Sequence, residues 1–360
     1  RGRESDTARP CGRRAFRRRE CGERRNNVNT KTADKTLKTS FLTRLSDGQK
    51  RNGAKIILLL STVLWGSSYF ILKDTLDEVP PYFLLTFRFL VSAVLLGLIC
   101  FKKWKLMNVT YLWQGVLTGV FLAFAYIFQT LGLQNTTPGT SAFLTTVYCI
   151  LVPFIGWAVM KRRPTLLNLA AAVVCMAGIG LVCMDGGSGG FSMKGEGYTI
   201  ICGVFFAFQI VAVDRFGQKL DTFLFTTIQF FTAFVICLVF FLAKESMPTS
   251  LSPDSAFSLV YVGVMATCVC FVMMNVGIKY ASSIAASLIL SLEGVFGVAF
   301  SMIFYHERLT LQVGMGFAVI FVALLLNEVL PKLIASRRDT AFPSVRPRKR
   351  TEVYKREPCA

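Results

Sequence analysis

A chain of 360 residues that is 53% hydrophobic, with 32 phenylalanines and only 17% charged residues, is too apolar for a soluble fold. A soluble domain needs a charged surface, and a lipid-exposed one does not. The net charge of +19 belongs to the ends: residues 1–53 hold sixteen Lys/Arg against six Asp/Glu, residues 332–360 nine against three, and the body between them fifteen against twelve. Such basicity invites a nucleic-acid reading, but no nucleic-acid motif accompanies it. Basic tails facing anionic lipid explain it better, so the lipid bilayer is the expected partner and nucleic acid is not.

In chain order, residues 1–53 come first, an Arg-rich segment with scattered Thr, Asn and Gly and no apolar core. That composition predicts disorder and not a secretory signal. Glu4, Asp6, Glu20 and Glu23 argue against an organellar presequence. Apolar runs follow at roughly 54–72, 82–101, 111–131, 139–160, 166–184, 197–213, 222–243, 257–277, 283–304 and 310–330, each near the ~20 residues that cross a bilayer. Residues 332–360 form a second basic, disordered tail. Eight of the eleven cysteines (Cys100, Cys149, Cys175, Cys183, Cys202, Cys237, Cys268 and Cys270) sit inside the apolar runs, where cysteine is a small hydrophobe. None has zinc-site spacing.

The apolar body is written twice. With Gly132 set over Gly277, Thr140-Ser141-Ala142 falls over Ala285-Ala286-Ser287, Thr146 over Ser291 and Lys161-Arg162-Arg163 over His306-Glu307-Arg308, with no gap. Five spans per copy, residues 54–185 and 197–330, give the copies opposite orientations. The expected fold is therefore an all-α integral membrane protein with ten transmembrane helices in two inverted five-helix repeats, a usual architecture of secondary transporters. Lys102, Lys103, Lys105, Lys161, Arg162, Arg163, Arg215, Lys219 and Lys279 crowd one set of loops, against Lys73, Lys194, Lys244 and Arg308 on the other. The positive-inside rule then puts both termini in the cytoplasm, in a cell (plasma) membrane setting. The glycine-rich stretch Asp185–Gly190 links the halves on the outer side.

Trp65-Gly66-Ser67-Ser68, Pro81 with Arg88, Leu131-Gly132-Leu133-Gln134 leading to Ala142-Phe143-Leu144-Thr145 and Pro153, then Ala281–Ser287, Leu292-Glu293 and Glu307-Arg308-Leu309 together resemble the EamA-like branch of the drug/metabolite transporter superfamily. The resemblance covers roughly residues 53–330. It implies export or exchange of small organic metabolites by alternating access. Gly294 departs from the pattern, which often has Pro after the glutamate.

Two charges lie deep in the spans. Arg88 suits a substrate carboxylate or, equally, backbone carbonyls, and Glu293 suits a cationic group, a coupling proton or a packing contact. Ser287 and Ser291 precede Glu293 on a similar face. Trp65, Ser68, Tyr69, Tyr126, Gln129, Thr145, Tyr148, Gln209 and Asn275 complete a candidate binding set of aromatic walls with a few polar groups. Each alone is as readily helix glue. No cofactor is implied: one histidine, His306, stands without a second ligand, no nucleotide loop appears and no nucleophile has its base, so an enzyme is not expected. The alternatives are an organellar nucleotide-sugar or sugar-phosphate exchanger, for which Arg88 is the one cavity cation, and an integral-membrane enzyme or scaffold. The oligomeric state is not encoded legibly.

Overall fold

In the computed structural model, the described residues are 47–161, 163–183, 193–248, 251–281, 283–304, 306, 310–323 and 325–326. The chain divides between Gly53 and Ala54, and everything discussed below lies in the second unit, Ala54–Ala360. The tails and the glycine linker predicted from sequence fall outside the described residues, apart from residues 47–53, which are helical.

Every element described is helical. Helix α1 is Asp47–Glu78, α2 is Pro81–Ile99 and α3 is Val109–Gln134, with a 3₁₀ segment, Phe101–Leu106, between α2 and α3. Helix α4 is Pro138–Met160, α5 is Leu166–Cys183, α6 is Tyr198–Gly217 and α7 is Thr222–Lys244. Helix α8 is Pro253–Ala281. Helix α9 comes in two pieces, Ser283–Leu290 and Leu292–Phe304, and α10 is Leu311–Ala323. Among the described residues, seven helical stretches are long and apolar enough to cross a membrane; Leu166–Leu181, Leu292–Phe304 and Leu311–Ala323 are apolar but shorter.

The helix starts are chemically specified. Asn108, Thr137, Asp221 and Ser252 each accept a hydrogen bond from the backbone N–H three residues on, at 3.0, 3.3, 3.2 and 3.2 Å. Pro138 and Pro253 then occupy the first helical position, where a missing N–H costs nothing. The start of α2 is capped from a distance, by Glu245 accepting from the backbone N–H groups of Tyr82 and Phe83 at 3.1 and 2.8 Å.

The internal alignment reappears in the backbone. Helix α4 breaks at Thr146-Val147 and α9 at Ser291, so the aligned residues Thr146 and Ser291 stand at the same local fault. Among the described residues, the two non-glycine positions with positive φ are Lys161 (60°) and His306 (54°), which that alignment also superposes. Lys161 closes the last turn of α4, its N–H donating to Trp157 O at 2.9 Å. The interval is 145 residues in every case: 132 to 277, 146 to 291, 161 to 306.

The two broken helices pack directly on each other. A Cβ at Gly294 would lie 2.8 Å from Thr146 Cγ2 and 3.2 Å from Phe143 Cα, and one at Gly297 would run into Ala142. Close approach thus explains glycine after Glu293. The break in α9 falls three residues earlier, at Ser291, whose N–H still reaches Ser287 O at 2.9 Å while Gly294 N reaches only back to Ser291 O, at 3.2 Å.

Helix α8 contains an eight-residue π-helical stretch, Val262–Val269. Thr267 Oγ1 donates to Val262 O at 2.8 Å, five residues back. Such widenings free backbone carbonyls and often mark functional places. Here Ala266 O accepts from Trp65 Nε1 of α1 at 2.6 Å, and Gly263 O accepts from Ser92 Oγ of α2 at 2.7 Å.

Candidate functional site

Trp65, Ser68, Tyr69 and Leu72 stand on α1 at helical spacing, so they share a face. Arg88 on α2, Tyr126 and Gln129 on α3 and Glu293 on α9 meet that face around one enclosed cavity of about 20 Å³, room for about one water molecule. Arg88 is 1% exposed and Glu293 5% exposed.

The guanidinium is held but not saturated. Its Nε donates to Thr267 Oγ1 at 2.9 Å, and its carbon lies 4.2 Å from the centre of the Tyr126 ring. Its Nη1 has no hydrogen-bond partner. A buried charged donor left unpaired is strongly unfavourable, and a cation over an aromatic face recovers only a part, about 2 kcal/mol when desolvated. Arg88 and Glu293 form no ion pair with each other; the described ion pair is Lys103 with Asp221, at 2.6 Å. One buried cation and one buried carboxylate therefore border the same small space without neutralising each other.

The rest of the lining is positioned. Gln129 Nε2 donates to the Tyr69 hydroxyl at 2.8 Å, and Ser68 Oγ donates to Trp65 O at 2.7 Å. Around them runs an aromatic shell: Trp65 meets Phe271 at 5.1 Å, Tyr126 meets Phe206 at 5.3 Å and Phe89 at 5.4 Å, and Phe271 meets Phe230 at 5.8 Å.

Seven of the thirteen candidates thus line one cavity: Trp65, Ser68, Tyr69, Arg88, Tyr126, Gln129 and Glu293. The other six are not part of that lining, although Thr145 reaches the lining residue Tyr69 by a side-chain hydrogen bond. Tyr148 is buried outside the lining, its ring 6.3 Å from Phe206 and its hydroxyl unpartnered. Thr145 donates to Ser141 O at 2.8 Å, beside the break in α4. Ser287 faces Cys149 Sγ at 3.8 Å, and Ser291 makes the break in α9.

Gln209 and Asn275 belong to a separate polar rung. Gln209 Nε2 donates to Gln229 Oε1 at 3.3 Å, and Asn275 Nδ2 donates to Thr226 Oγ1 at 2.6 Å. Thr226 and Gln229 are three apart on α7 and so share a face. Gln209 Oε1, Gln229 Nε2 and Asn275 Oδ1 remain without partners. About one helical turn beyond Asn275 lies Lys279, which lines a cleft of about 710 Å³ with Lys161, Asp214, Arg215, Gln218 and Lys219. About one turn on the other side of the rung lie Phe206 and Phe271, the inner aromatic shell.

Thr226, Gln229 and Thr267 are absent from the sequence-based set. A lone glutamine inside an otherwise apolar run was the available signal for Gln229. Nothing in the sequence flagged Thr267, because its role depends on the π-helical stretch. Among the described residues no cluster of histidine, cysteine or carboxylate groups has a metal-holding arrangement.

Long apolar helices around an enclosed site that holds one basic and one acidic side chain define a multi-pass membrane protein with a polar pocket inside it. The EamA-like transporter family matches residues 53–184 and again residues 193–328, and the chain belongs to that family. An uncharacterized transporter of Archaeoglobus fulgidus is 29% identical over 296 residues, 81% of this chain and 91% of the relative. The uncharacterized transporter YvbV of Bacillus subtilis is 21% identical over 77% of this chain and 92% of its own length. A crystal structure with a TM-score of 0.60 and 15% identity spans 78% of this chain and 99% of its own, a likeness of fold.

Proposed function

We propose that the chain is a carrier that moves a small organic metabolite across the plasma membrane by alternating access between two inverted five-helix halves. Residues 54–185 and 197–330 form the halves, ten spans in all, with both termini in the cytoplasm. The aligned helix breaks and positive-φ residues support the repeat, and five spans in each copy give the inversion. The single observation that carries the reading is Arg88 and Glu293, both buried, bordering one cavity without pairing. A cargo with an anionic group for Arg88 Nη1 and a cationic or hydrogen-bond-donating group for Glu293 completes both at once. Trp65, Tyr69 and Tyr126 wall its apolar part.

The cavity of about 20 Å³ is a closed, occluded arrangement that must widen around such a cargo. The amide rung of Gln209, Gln229 and Asn275 marks the route toward the cleft lined by Lys161 and Lys279. Unpartnered buried amides are costly here and become useful once that route is wet. A phosphate-bearing cargo would need more than one cation at the site, and Arg88 is the cation that the cavity holds.

The test is counterflow in proteoliposomes against a panel of amino acids, purines and amphiphilic cations, with and without a pH gradient. Saturable transport of a dipolar cargo that fails with Arg88→Gln is the expected result. Transport that is unaffected by Arg88→Gln and Glu293→Gln overturns the proposal. Orientation is read separately: a thiol reagent outside the membrane should reach Ser188→Cys without permeabilisation.

A further inference from the structure

The 3₁₀ segment Phe101–Leu106 turns once every three residues, so residues three apart eclipse each other. Six residues is long for such a helix, and its sequence suits the period. Phe101 and Trp104 share one face, Lys102 and Lys105 the next, Lys103 and Leu106 the third. Each face does something different. Lys103 is taken by Asp221 at 2.6 Å. Lys102 and Lys105 are exposed and, among the described residues, have no ion-pair partner. Phe101 and Trp104 line an outward-facing groove of about 570 Å³.

That groove runs from this segment down between α2, α3 and α7, along roughly 12 Å of α2 from Leu90 to Leu98. Its volume is that of a ligand site, ~300–1,000 Å³. Its walls are apolar, including Val94, Met107, Leu112 and Phe231. The one polar side chain, Thr227, spends its hydroxyl on Phe223 O at 2.9 Å. Gly97 lines the middle of the groove, where a Cβ would meet Thr227 Cγ2 and Trp104 at ordinary contact distances of 3.7 and 3.8 Å and a larger side chain would take up groove space. The groove thus offers nothing to a polar ligand along its length, and the exposed Lys102 and Lys105 stand on the adjoining face of the segment that closes its end.

We propose that this groove holds one anionic phospholipid, with an acyl chain along α2 and α7 and the phosphate on Lys102 and Lys105. The chemistry is complementary at both ends, and basic sites between membrane helices recognise such headgroups. Trp104 follows the end of the apolar helix α2, the kind of position from which an indole anchors to a headgroup region. A second copy docked face to face would set the two lysines against like charges, which disfavours it as the occupant. The site is separate from the Arg88–Glu293 cavity and does not depend on the transport reading.

The test uses the full chain, purified in detergent and titrated with dioleoylphosphatidylglycerol or dioleoylphosphatidylcholine, with retained lipid read by native mass spectrometry. Wild type should retain one phosphatidylglycerol in preference to phosphatidylcholine. The Lys102→Gln/Lys105→Gln variant should lose about 30-fold of that preference. Gly97→Leu should lose both lipids. Val94→Phe fills the groove from an exposed position and should do the same if Gly97→Leu does not fold. Lys161→Gln/Lys219→Gln removes two cations elsewhere and should leave retention unchanged. Equal retention of the two lipids by wild type overturns the headgroup assignment. Retention insensitive to Gly97→Leu and Val94→Phe overturns the groove. A dimer that replaces bound lipid and is broken by the groove-filling variants assigns the face to a second copy instead.

Discussion

Helices α4 and α9 are built alike and equipped differently. Each breaks at the same aligned residue, Thr146 in α4 and Ser291 in α9, and the aligned residues Lys161 and His306 both have positive φ. Two residues beyond the break, however, α4 carries Tyr148 and α9 carries Glu293. Tyr148 is buried outside the cavity against Phe206, and Glu293 lines it. The repeat thus duplicates the backbone device, a fault that opens helix termini near the centre, and leaves the chemistry asymmetric. The basic group of the cavity comes from the first copy through Arg88, and the acidic group from the second through Glu293.

The largest effect should follow from removing the first-copy charge. Arg88→Gln leaves Thr267 without its donor and the cavity without a cation, and should lower transport efficiency by roughly 10–100-fold, the scale of a charge-assisted hydrogen bond. Arg88→Lys should rescue little, because one ammonium cannot bond Thr267 and reach the cavity as the guanidinium fork does. Proteoliposome initial rates measure both, and a lysine variant at wild-type efficiency would make Arg88 a mere point charge.

Glu293→Gln sharpens the comparison next. If the carboxylate carries a coupling proton, driven transport fails while exchange of cargo for cargo survives. If it binds a cationic group, both weaken and apparent affinity falls. Wild-type rates, affinity and pH response in this variant would reduce Glu293 to packing and remove the asymmetry. Tyr148→Phe, by contrast, should leave affinity within about twofold, since its hydroxyl is unpartnered and outside the lining.

The shared backbone device has its own test. Gly294→Ala puts a methyl 2.8 Å from Thr146 Cγ2 and 3.2 Å from the Phe143 backbone, and should destabilise the α4–α9 crossing by about 1–3 kcal/mol. A thermal midpoint equal to wild type would mean that the broken helices are not pressed together there.

The smallest effect is at the rim. Burial pushes the Glu245 carboxyl above the ordinary glutamate range, against the pull of the two backbone N–H groups that it caps. A raised folded-state value means stability contributed below the unfolded pKa and lost as pH rises through the folded one. The stability of wild type relative to Glu245→Gln should therefore decline as pH rises above the ordinary glutamate value of about 4. A difference that grows with pH would reverse the sign of that burial effect.

Helical stretches were legible in the sequence because runs of apolar residues are the membrane's own length rule. Every predicted run from 54–72 to 283–304 is helical along its described residues apart from turns at Cys100, Thr146, Val147 and Ser291, and α10 begins within one residue of the predicted 310. Arg88 and Glu293 were legible for a similar reason, since charges in such runs have few places to go. The π-helical stretch of α8 was not legible: Val262–Val269 has the composition of any buried helix, and the carbonyls that it frees for Trp65 and Ser92 show only in three dimensions. Nor did Gln209 and Asn275 announce that their partners are Gln229 and Thr226. Membrane helices are apolar on lipid-facing and core-facing sides alike, so periodicity does not say which face a polar residue shares with which neighbour. The groove beside Lys102 and Lys105 was hidden likewise, because the lysines read as ordinary loop charge until the three-residue turn sorted them.

The central claim is that one cargo bridges Arg88 and Glu293. Ligand-dependent thermal stability of the purified chain tests it most directly, because a ligand that binds only the folded protein raises the midpoint in proportion to its affinity. A compound that stabilises wild type should lose that effect with Arg88→Gln and with Glu293→Gln, in variants whose unliganded midpoints remain close to wild type. The same compound stabilising both variants with unchanged affinity would contradict the account.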